Sequence, residues 1–212
     1  MIYQKTGWFV HNVLYPSLTW KRETEEKVIY LTFDDGPIPD VTEWVLEQLE
    51  QYQAKATFFC VGDNVRKHPE VFKKLIANGH RVGNHTYNHL KGWVTDNQKY
   101  FENIASCRDI ISQYTSDTSH LSLFRPPYGQ ISTKQIKELN EQFDELVMWH
   151  VLTCDYDQSM NEEVCLKKSL NLTEAGSIVV FHDSLKAEKN LRYVLPRYLK
   201  HFTALGYTFK HL

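Results

Sequence analysis

Two adjacent carboxylates are the most informative chemical feature of this chain. Asp34 and Asp35 follow the apolar run 28–31 and precede a Gly-Pro pair within Thr32–Pro37. A short, continuous, β-branched and aromatic run predicts a strand buried on both faces of a parallel sheet, so the acids would lie where the chain leaves that sheet. Burying two unpartnered carboxylates is costly. The pair therefore indicates either a catalytic or cation-binding strand end or a solvated Asp-Asp-Gly-Pro turn.

Two histidines four residues apart form a second candidate group. His85 and His89 enclose Thr-Tyr-Asn, and on one helical turn both imidazoles could converge on a single ion. With one carboxylate they would make a zinc site with an open position for water, whose pKa at such a site falls to about 7. In a chain with ten histidines, the pair can equally arise by coincidence.

Three further segments end in groups suited to catalysis. Arg125 opens a proline-locked loop, Phe124–Gly129, which can present a fixed backbone N–H. Asp155 follows an apolar run and could pair with Arg125. His182 ends another apolar run and suits proton transfer near neutral pH. Their plainer interpretations are a surface turn, a loop carboxylate and a capped core histidine.

The elements that would position these groups alternate along the chain. Strands are predicted over residues 28–31, 55–61, 81–84, 121–124, 145–151, 177–181 and 206–209. Helices are predicted over residues 41–52, 69–78, 95–114, 132–143, 162–170 and 187–202. Pro196 should start, kink or split the last helix. About seven strand–helix units predict an α/β fold with a parallel sheet, either doubly wound or closed into a barrel.

The candidate groups all fall at the carboxyl ends of predicted strands, which is the edge where active sites form in parallel α/β folds. The 212 residues are 42% hydrophobic, which is enough for one sizeable core and one domain. A net charge of −2 does not favour nucleic acid or an anionic membrane as a partner. The four cysteines show no CxxC pairing. With no recognisable signal or membrane-spanning run, a cytoplasmic location without membrane insertion is the default expectation.

In this order and spacing, the five segments resemble the polysaccharide deacetylase family, carbohydrate esterase family 4. The resemblance runs from about Val28 to Phe209 and joins Thr-Phe-Asp-Asp-Gly-Pro, His-Thr-x-x-His and Arg-Pro-Pro-Tyr-Gly. It implies a single-domain distorted (β/α) barrel with about seven parallel strands. The catalytic domain would comprise residues 27–212, with residues 1–26 as an N-terminal extension packed on it.

The resemblance also implies a division of roles between the first two motifs. Asp35, His85 and His89 would bind a divalent metal, most often zinc. Asp34 would be the general base beside it. Arg125 would orient Asp34 and favour its carboxylate form.

The remaining roles fall on the last two segments and on the proline-locked loop. Asp155 would tune the Arg–Asp pair, His182 would be the general acid, and the Tyr128 N–H would be the oxyanion donor. Leu152 departs from the family pattern, because many members carry an acid there. The electrostatic tuning of the base is therefore left open, with Asp157 as a candidate substitute.

The implied function is metal-dependent removal of N-acetyl groups from amino sugars of an oligo- or polysaccharide, a hydrolysis of a linear amide that releases acetate. Trp93 and Tyr156 are candidates for stacking on a sugar face, or for buried packing. Two alternatives remain: an esterase for O-acetylated polysaccharides, and a non-catalytic carbohydrate-binding protein on the same scaffold. The expected partner is an N-acetylated glycan; its identity and the oligomeric state are not predicted.

Overall fold

A computed structural model describes residues 5–212 and shows a parallel sheet covered by helices. The strands are β1 Val28–Asp34, β2 Thr57–Cys60, β3 Arg81–Asn84, β4 Leu123–Phe124, β5 Glu145–Leu146, β6 Val151–Leu152, β7 Ile178–His182 and β8 Thr208–Lys210. The α-helices are α1 Val41–Gln51, α2 Gly62–Lys67, α3 Pro69–Ala77, α4 Asn97–Ser112, α5 Thr133–Leu139, α6 Glu162–Leu172 and α7 Glu188–Ala204. The first four residues of the predicted N-terminal extension lie outside the described residues.

The sheet runs in the order β5-β4-β3-β2-β1-β7-β6, and β8 pairs with the first half of β1. All of these pairings are parallel. Within residues 5–212, β5 and β6 do not pair with each other, so the sheet is a curled half-barrel. The predicted single-domain distorted (β/α) barrel is confirmed.

Register in the sheet brings the candidate groups to one edge. β1 pairs Asp34 with Phe59 of β2 on one side and with His182 of β7 on the other. The central strands are buried on both faces, as parallel strands covered by helices require. Phe33 packs its ring between those of Phe58 and Phe181, with centroids 4.9 and 5.8 Å away. This aromatic layer lies directly beneath the carboxyl ends of the strands.

The N-terminal segment, residues 5–22, crosses the open side of the half-barrel. Thr19 forms a parallel bridge with Val147 just after β5, and Lys21 forms an antiparallel bridge with Ser177 just before β7. Between them Trp20 is only 6% exposed. The segment thus links strands that the sheet itself leaves apart. No helix within residues 5–212 is long and apolar enough to cross a membrane.

Two of the differences from the predicted elements have a clear physical reason. The strand predicted over residues 145–151 is two short strands, because the backbone changes partner between them: the Met148 N–H donates to Thr19 O and the His150 N–H to Ile178 O. Helix α7 runs through Pro196 without starting or splitting there. A proline removes one intrahelical hydrogen bond, and the buried apolar face of α7 outweighs that loss.

Candidate active site

The loop after β1 gives the two adjacent acids separate surroundings. Asp34 is the last residue of β1 and is 4% exposed. Asp35 leaves the strand with a φ of 85°, in the left-handed region. Its carbonyl accepts a hydrogen bond from Asn64 Nδ2 at 2.8 Å, and the next N–H, that of Gly36, donates to Asp183 Oδ1 at 3.1 Å. The loop is therefore fastened on both sides of Asp35.

Asp35, His85 and His89 come together as predicted, with one ligand atom from each lying within 4.8 Å of the others. Asp35 Oδ1 is 3.2 Å from His89 Nε2 and 3.9 Å from His85 Nε2. The His85 Nδ1–H donates to Arg125 O at 2.7 Å, which leaves its Nε2 lone pair directed at the group. Two imidazoles and one carboxylate are a donor set typical of catalytic zinc sites, so these residues fit a divalent metal.

The two histidines do not share a helical turn, which corrects the sequence-based geometry. They lie in the irregular segment after β3, where Thr86 and His89 have φ values of 62° and 55°. Three of the backbone amides here are tied to side chains: the Tyr87 and Asn88 N–H groups donate to Asn103 Oδ1 on α4, and that of Thr86 to a neighbouring amide side chain. The convergence of the imidazoles is thus imposed by tertiary contacts and not by a helix.

Protonation in this group also suits metal binding. Burial lowers the pKa of His85 to about 4, so its imidazole is neutral at physiological pH. Burial alone would raise the pKa of Asp35, but the hydrogen bond from His89 and the nearby imidazoles of His182 and His85 lower it overall. Metal ligands must be neutral imidazoles and ionised carboxylates, and this site supplies both.

Arg125 holds Asp34 as predicted. Its fully buried guanidinium donates from Nη1 to Asp34 Oδ1 and to Thr32 Oγ1, both at 2.7 Å, and from Nη2 to Met148 O at 2.8 Å. Burial lowers the pKa of Arg125, and the charge of Asp34 opposes that shift. The second oxygen of Asp34, Oδ2, lies 4.0 Å from His85 Nε2. Oδ1 of Asp34 is thus fixed by Arg125, and Oδ2 lies beside the candidate metal ligands.

Asp155 pairs with His182, so the prediction that it pairs with Arg125 is wrong. The His182 Nδ1–H donates to Asp155 Oδ1 at 2.7 Å, and the His182 backbone N–H donates to Oδ2 at 2.8 Å. The parallel pairing of β6 with β7 brings the chain after β6 to this position, while Arg125 is satisfied by other partners. Burial alone would lower the pKa of His182, but the charge and hydrogen bond of Asp155 raise it to about 9.

A cavity of about 620 Å³ contains these groups. Its lining consists of Asp34, Asp35, His85, His89, Pro126, Tyr128, Gln130, Trp149, Leu152, Tyr156, Val180, His182 and Lys186. Leu152 is buried and packs with Val180, so the position of the missing family acid forms an apolar wall. Asp157, the candidate substitute, accepts hydrogen bonds from the backbone N–H and hydroxyl of Ser159 and does not contact Arg125.

A family model described as polysaccharide deacetylase matches residues 21–143, more than half of the chain. The chain belongs to the polysaccharide deacetylase family. The matched region contains both acids, both histidines and Arg125, and the predicted family is confirmed. Asp155 and His182 lie beyond that region.

Named relatives and solved structures extend the similarity over the rest of this polysaccharide deacetylase. A peptidoglycan-N-acetylglucosamine deacetylase of Bacillus cereus is 32% identical over 194 residues, or 91% of this chain and 89% of the relative. A chitooligosaccharide deacetylase of Azorhizobium caulinodans is 32% identical over 155 residues, or 73% of each chain. A crystal structure of a peptidoglycan N-acetylglucosamine deacetylase has a TM-score of 0.87 at 26% identity, covering 98% of this chain and 95% of the other.

The same fold also occurs without activity. A Bacillus anthracis protein described as a pseudoenzyme of carbohydrate esterase family 4 has a TM-score of 0.81 at 22% identity, covering 93% of this deacetylase and 68% of that chain. That similarity concerns the fold alone. Activity therefore has to be argued from the site.

Asp183 is a functional position to which the sequence assigned no role. Its Oδ2 accepts the Thr42 hydroxyl at 2.6 Å, its Oδ1 accepts the Gly36 N–H, and its own N–H donates to Asp34 O at 3.2 Å. Asp183 therefore fastens β7 to the loop that carries both acids. The available signal was its place directly after His182 at a strand end, but only the tertiary fold identifies its partners.

Two tyrosines line the cavity, whereas the candidate stacking residue Trp93 lies outside it. Tyr128 has a φ of 60°, and its hydroxyl lies 3.1 Å from His89 Nδ1. Its backbone N–H makes no hydrogen bond within residues 5–212. Tyr156 lines the cavity with its ring 4.9 Å from that of His182, whereas Trp93 is 63% exposed outside the lining. Sugar stacking by Tyr156 or Trp93 stays a prediction.

Proposed function

We propose that this polysaccharide deacetylase is a metal-dependent hydrolase that removes N-acetyl groups from amino sugars of an oligo- or polysaccharide. One observation carries the proposal: two adjacent acids have different partners in the same cavity. Asp35 joins the histidine pair, and Asp34 joins Arg125. Relatives named as peptidoglycan and chitooligosaccharide deacetylases support the substrate class.

The metal would be held by Asp35, His85 and His89, and zinc suits this donor set best. When bound, it would supply Lewis acidity toward an acetamide carbonyl and toward water. The carboxylate Asp34, with Oδ1 fixed by Arg125, is free to take a proton at Oδ2 from the attacking water.

Two further groups of the chain act on the carbonyl oxygen and on the leaving nitrogen of the acetamide. As water adds to the carbonyl carbon, the carbonyl oxygen becomes negative, and the Tyr128 N–H is the proposed donor to it. Such a donor contributes roughly 3–4 kcal/mol to transition-state stabilisation. The carbon–nitrogen bond then breaks as the leaving amine takes a proton from His182, whose Nδ1–H is held by Asp155.

The raised pKa of His182 favours an amide substrate over an ester. An amine is a poor leaving group unless it is protonated, whereas an alkoxide leaves more easily. Because the pKa of His182 is about 9, the acid is present throughout the neutral range. The non-catalytic alternative is less favoured, because the residues proposed as base, metal ligands and acid all line one cavity.

Acetate release tests the proposal. The metal-reconstituted enzyme would be given acetylated chitin oligomers and, separately, acetylated xylan, with several divalent metals. We expect acetate from the N-acetylated oligomers and little from xylan. Release from xylan without amide cleavage would establish the esterase alternative instead.

A further inference from the structure

Two lysines flank the mouth of the active-site cavity, each above a tyrosine ring. Lys91 Nζ lies 5.0 Å from the ring centroid of Tyr128, and Lys186 Nζ lies 5.3 Å from that of Tyr156. Both tyrosines and Lys186 line the cavity. Cation–π contacts of this length restrict where an otherwise mobile ammonium can lie. The two charges are therefore held at the rim.

Each of these tyrosines also contacts one of the histidines of the site. The Tyr128 ring lies 4.6 Å from that of His89, one of the candidate metal ligands. The Tyr156 ring lies 4.9 Å from that of His182, the candidate acid. A glycan chain whose acetamide reaches both histidines would extend past one lysine on each side.

The other charges in the cavity already have partners. Arg125 neutralises Asp34, and Asp155 neutralises His182. Within residues 5–212, neither Lys91 nor Lys186 has a carboxylate oxygen within 4.0 Å of its ammonium.

One acid lies near the rim without forming an ion pair. The pKa of Asp157 is lowered mainly by its hydrogen bonds from Ser159 and only secondarily by the charge of Lys186. Both of the Ser159 hydrogen bonds go to Asp157 Oδ1. Among the described residues, Lys91 and Lys186 are therefore cationic groups at the mouth without an ion-pair partner, and both are available to a substrate.

We propose that Lys91 and Lys186 determine specificity by binding carboxylates on the sugars next to the one that is deacetylated. The preferred substrate is then an anionic N-acetylated glycan and not a neutral chitin-like chain. This inference rests on the proposed function. Because exposed ammonium groups act at a distance and in the ground state, the effect belongs to substrate binding and is screened by salt.

The test compares three oligosaccharides of equal length: a neutral N-acetylglucosamine oligomer, one in which alternate sugars carry a lactyl carboxylate, and the latter with its carboxylates converted to amides. The variants are Lys91→Met, Lys186→Met, the double variant and the two Lys→Arg replacements. Lys27→Met is the matched control, because Lys27 lies 5.9 Å above the Tyr207 ring near the opposite, amino-terminal end of β1.

We expect the double Met variant to lose about tenfold in kcat/KM on the carboxylated oligomer, through KM, with less than twofold change on the two neutral ones. The Arg variants should keep the preference, and raising the salt concentration should reduce it in the parent enzyme. Equal kcat/KM of the parent for the carboxylated and amidated oligomers, or equal losses on all three, would overturn the proposal.

Measurements of binding test the effect of the two lysines independently of catalysis. Calorimetry of the same oligomers on the metal-loaded Asp34→Asn variant, with and without the lysine replacements, measures the preference without turnover. A preference for the carboxylated oligomer that disappears with the lysines supports the inference, and equal Kd values refute it. Absence of acetate from every oligomer would count against the proposed function alone.

Discussion

Asp34 and Asp35 are adjacent in the sequence and line the same cavity, but their carboxylates have different partners. Asp34 is held by a buried arginine, whereas Asp35 lies against two imidazoles. The positive φ of Asp35 brings its carboxylate into the cavity that Asp34 also lines, because a continued strand would place consecutive side chains on opposite faces of the sheet. In the proposed mechanism each acid has its own role, Asp35 as metal ligand and Asp34 as proton acceptor.

The proposed role of Asp34 as base predicts the effect of Asp34→Asn. The amide cannot take a proton, so the rate of acetate release should fall about 10²–10⁴-fold. Metal content, measured by elemental analysis after dialysis, should be unchanged, because the ligand group is intact. Asp35→Asn is the control and should lose metal. An Asp34→Asn enzyme with more than a tenth of the parent rate would contradict the assignment.

The pairing of His182 with Asp155 predicts a pH dependence. Because the pKa of His182 is raised to about 9, the acid is protonated below that pH and is lost as the pH rises through it. The profile of kcat/KM should therefore fall on the alkaline side near pH 9. Asp155→Asn removes the charge that raises the pKa of His182, so this limb should move down by at least one pH unit. An unmoved limb would show that another group controls it.

Among the elements, the contact between the loop after β1 and the end of β7 leaves no room for an added side-chain atom. A Cβ placed on Gly36 would lie 2.0 Å from Asp183 Oδ2, and the Thr42 hydroxyl holds that carboxylate in place. Gly36→Ala should therefore lower the free energy of unfolding by about 1–3 kcal/mol and weaken metal binding. Urea unfolding and metal titration would measure both.

The control for this prediction is Gly7→Ala, where nothing lies within 4 Å of the added atom. We expect its unfolding free energy to change by less than about 0.5 kcal/mol. Adding Asp183→Ala to Gly36→Ala removes the clash, so the two changes should not be additive. If the two changes in unfolding free energy simply add, the contact between residues 36 and 183 does not constrain the loop after β1.

How far the sequence predicts an element depends on how local its determinants are. Strand β3 has its predicted bounds, and α1 begins at the predicted residue with Glu43 accepting the Asp40 N–H, because periodicity and capping are local. Helix α2 was not predicted, since six residues carry too little pattern. The predicted partner of Asp155 was wrong because several charged side chains lie at the same edge of the sheet. Packing decides which of them pair.

At the scale of the whole molecule, the N-terminal segment provides the sharpest stability test. Trp20 is buried and donates from Nε1 to Tyr15 O at 3.2 Å, while Trp8 is 71% exposed. Trp20→Ala should cost about 3–5 kcal/mol of unfolding free energy, and Trp8→Ala, the matched control, less than about 0.5 kcal/mol. Urea unfolding followed by circular dichroism would measure both. Equal losses would mean that the segment does not support the half-barrel.

The same segment affects the order in which the active site can be completed. The Met148 carbonyl accepts from Arg125, and the Met148 N–H donates to Thr19 O. Lys21, two residues after Thr19, forms a β-bridge with Ser177. During synthesis on the ribosome, the segment 5–22 must therefore wait for partners that lie much later in the chain. Arg125, which holds the proposed base Asp34, gains all of its partners only after Met148 has been translated, so we expect hydrolytic competence to arrive late in folding.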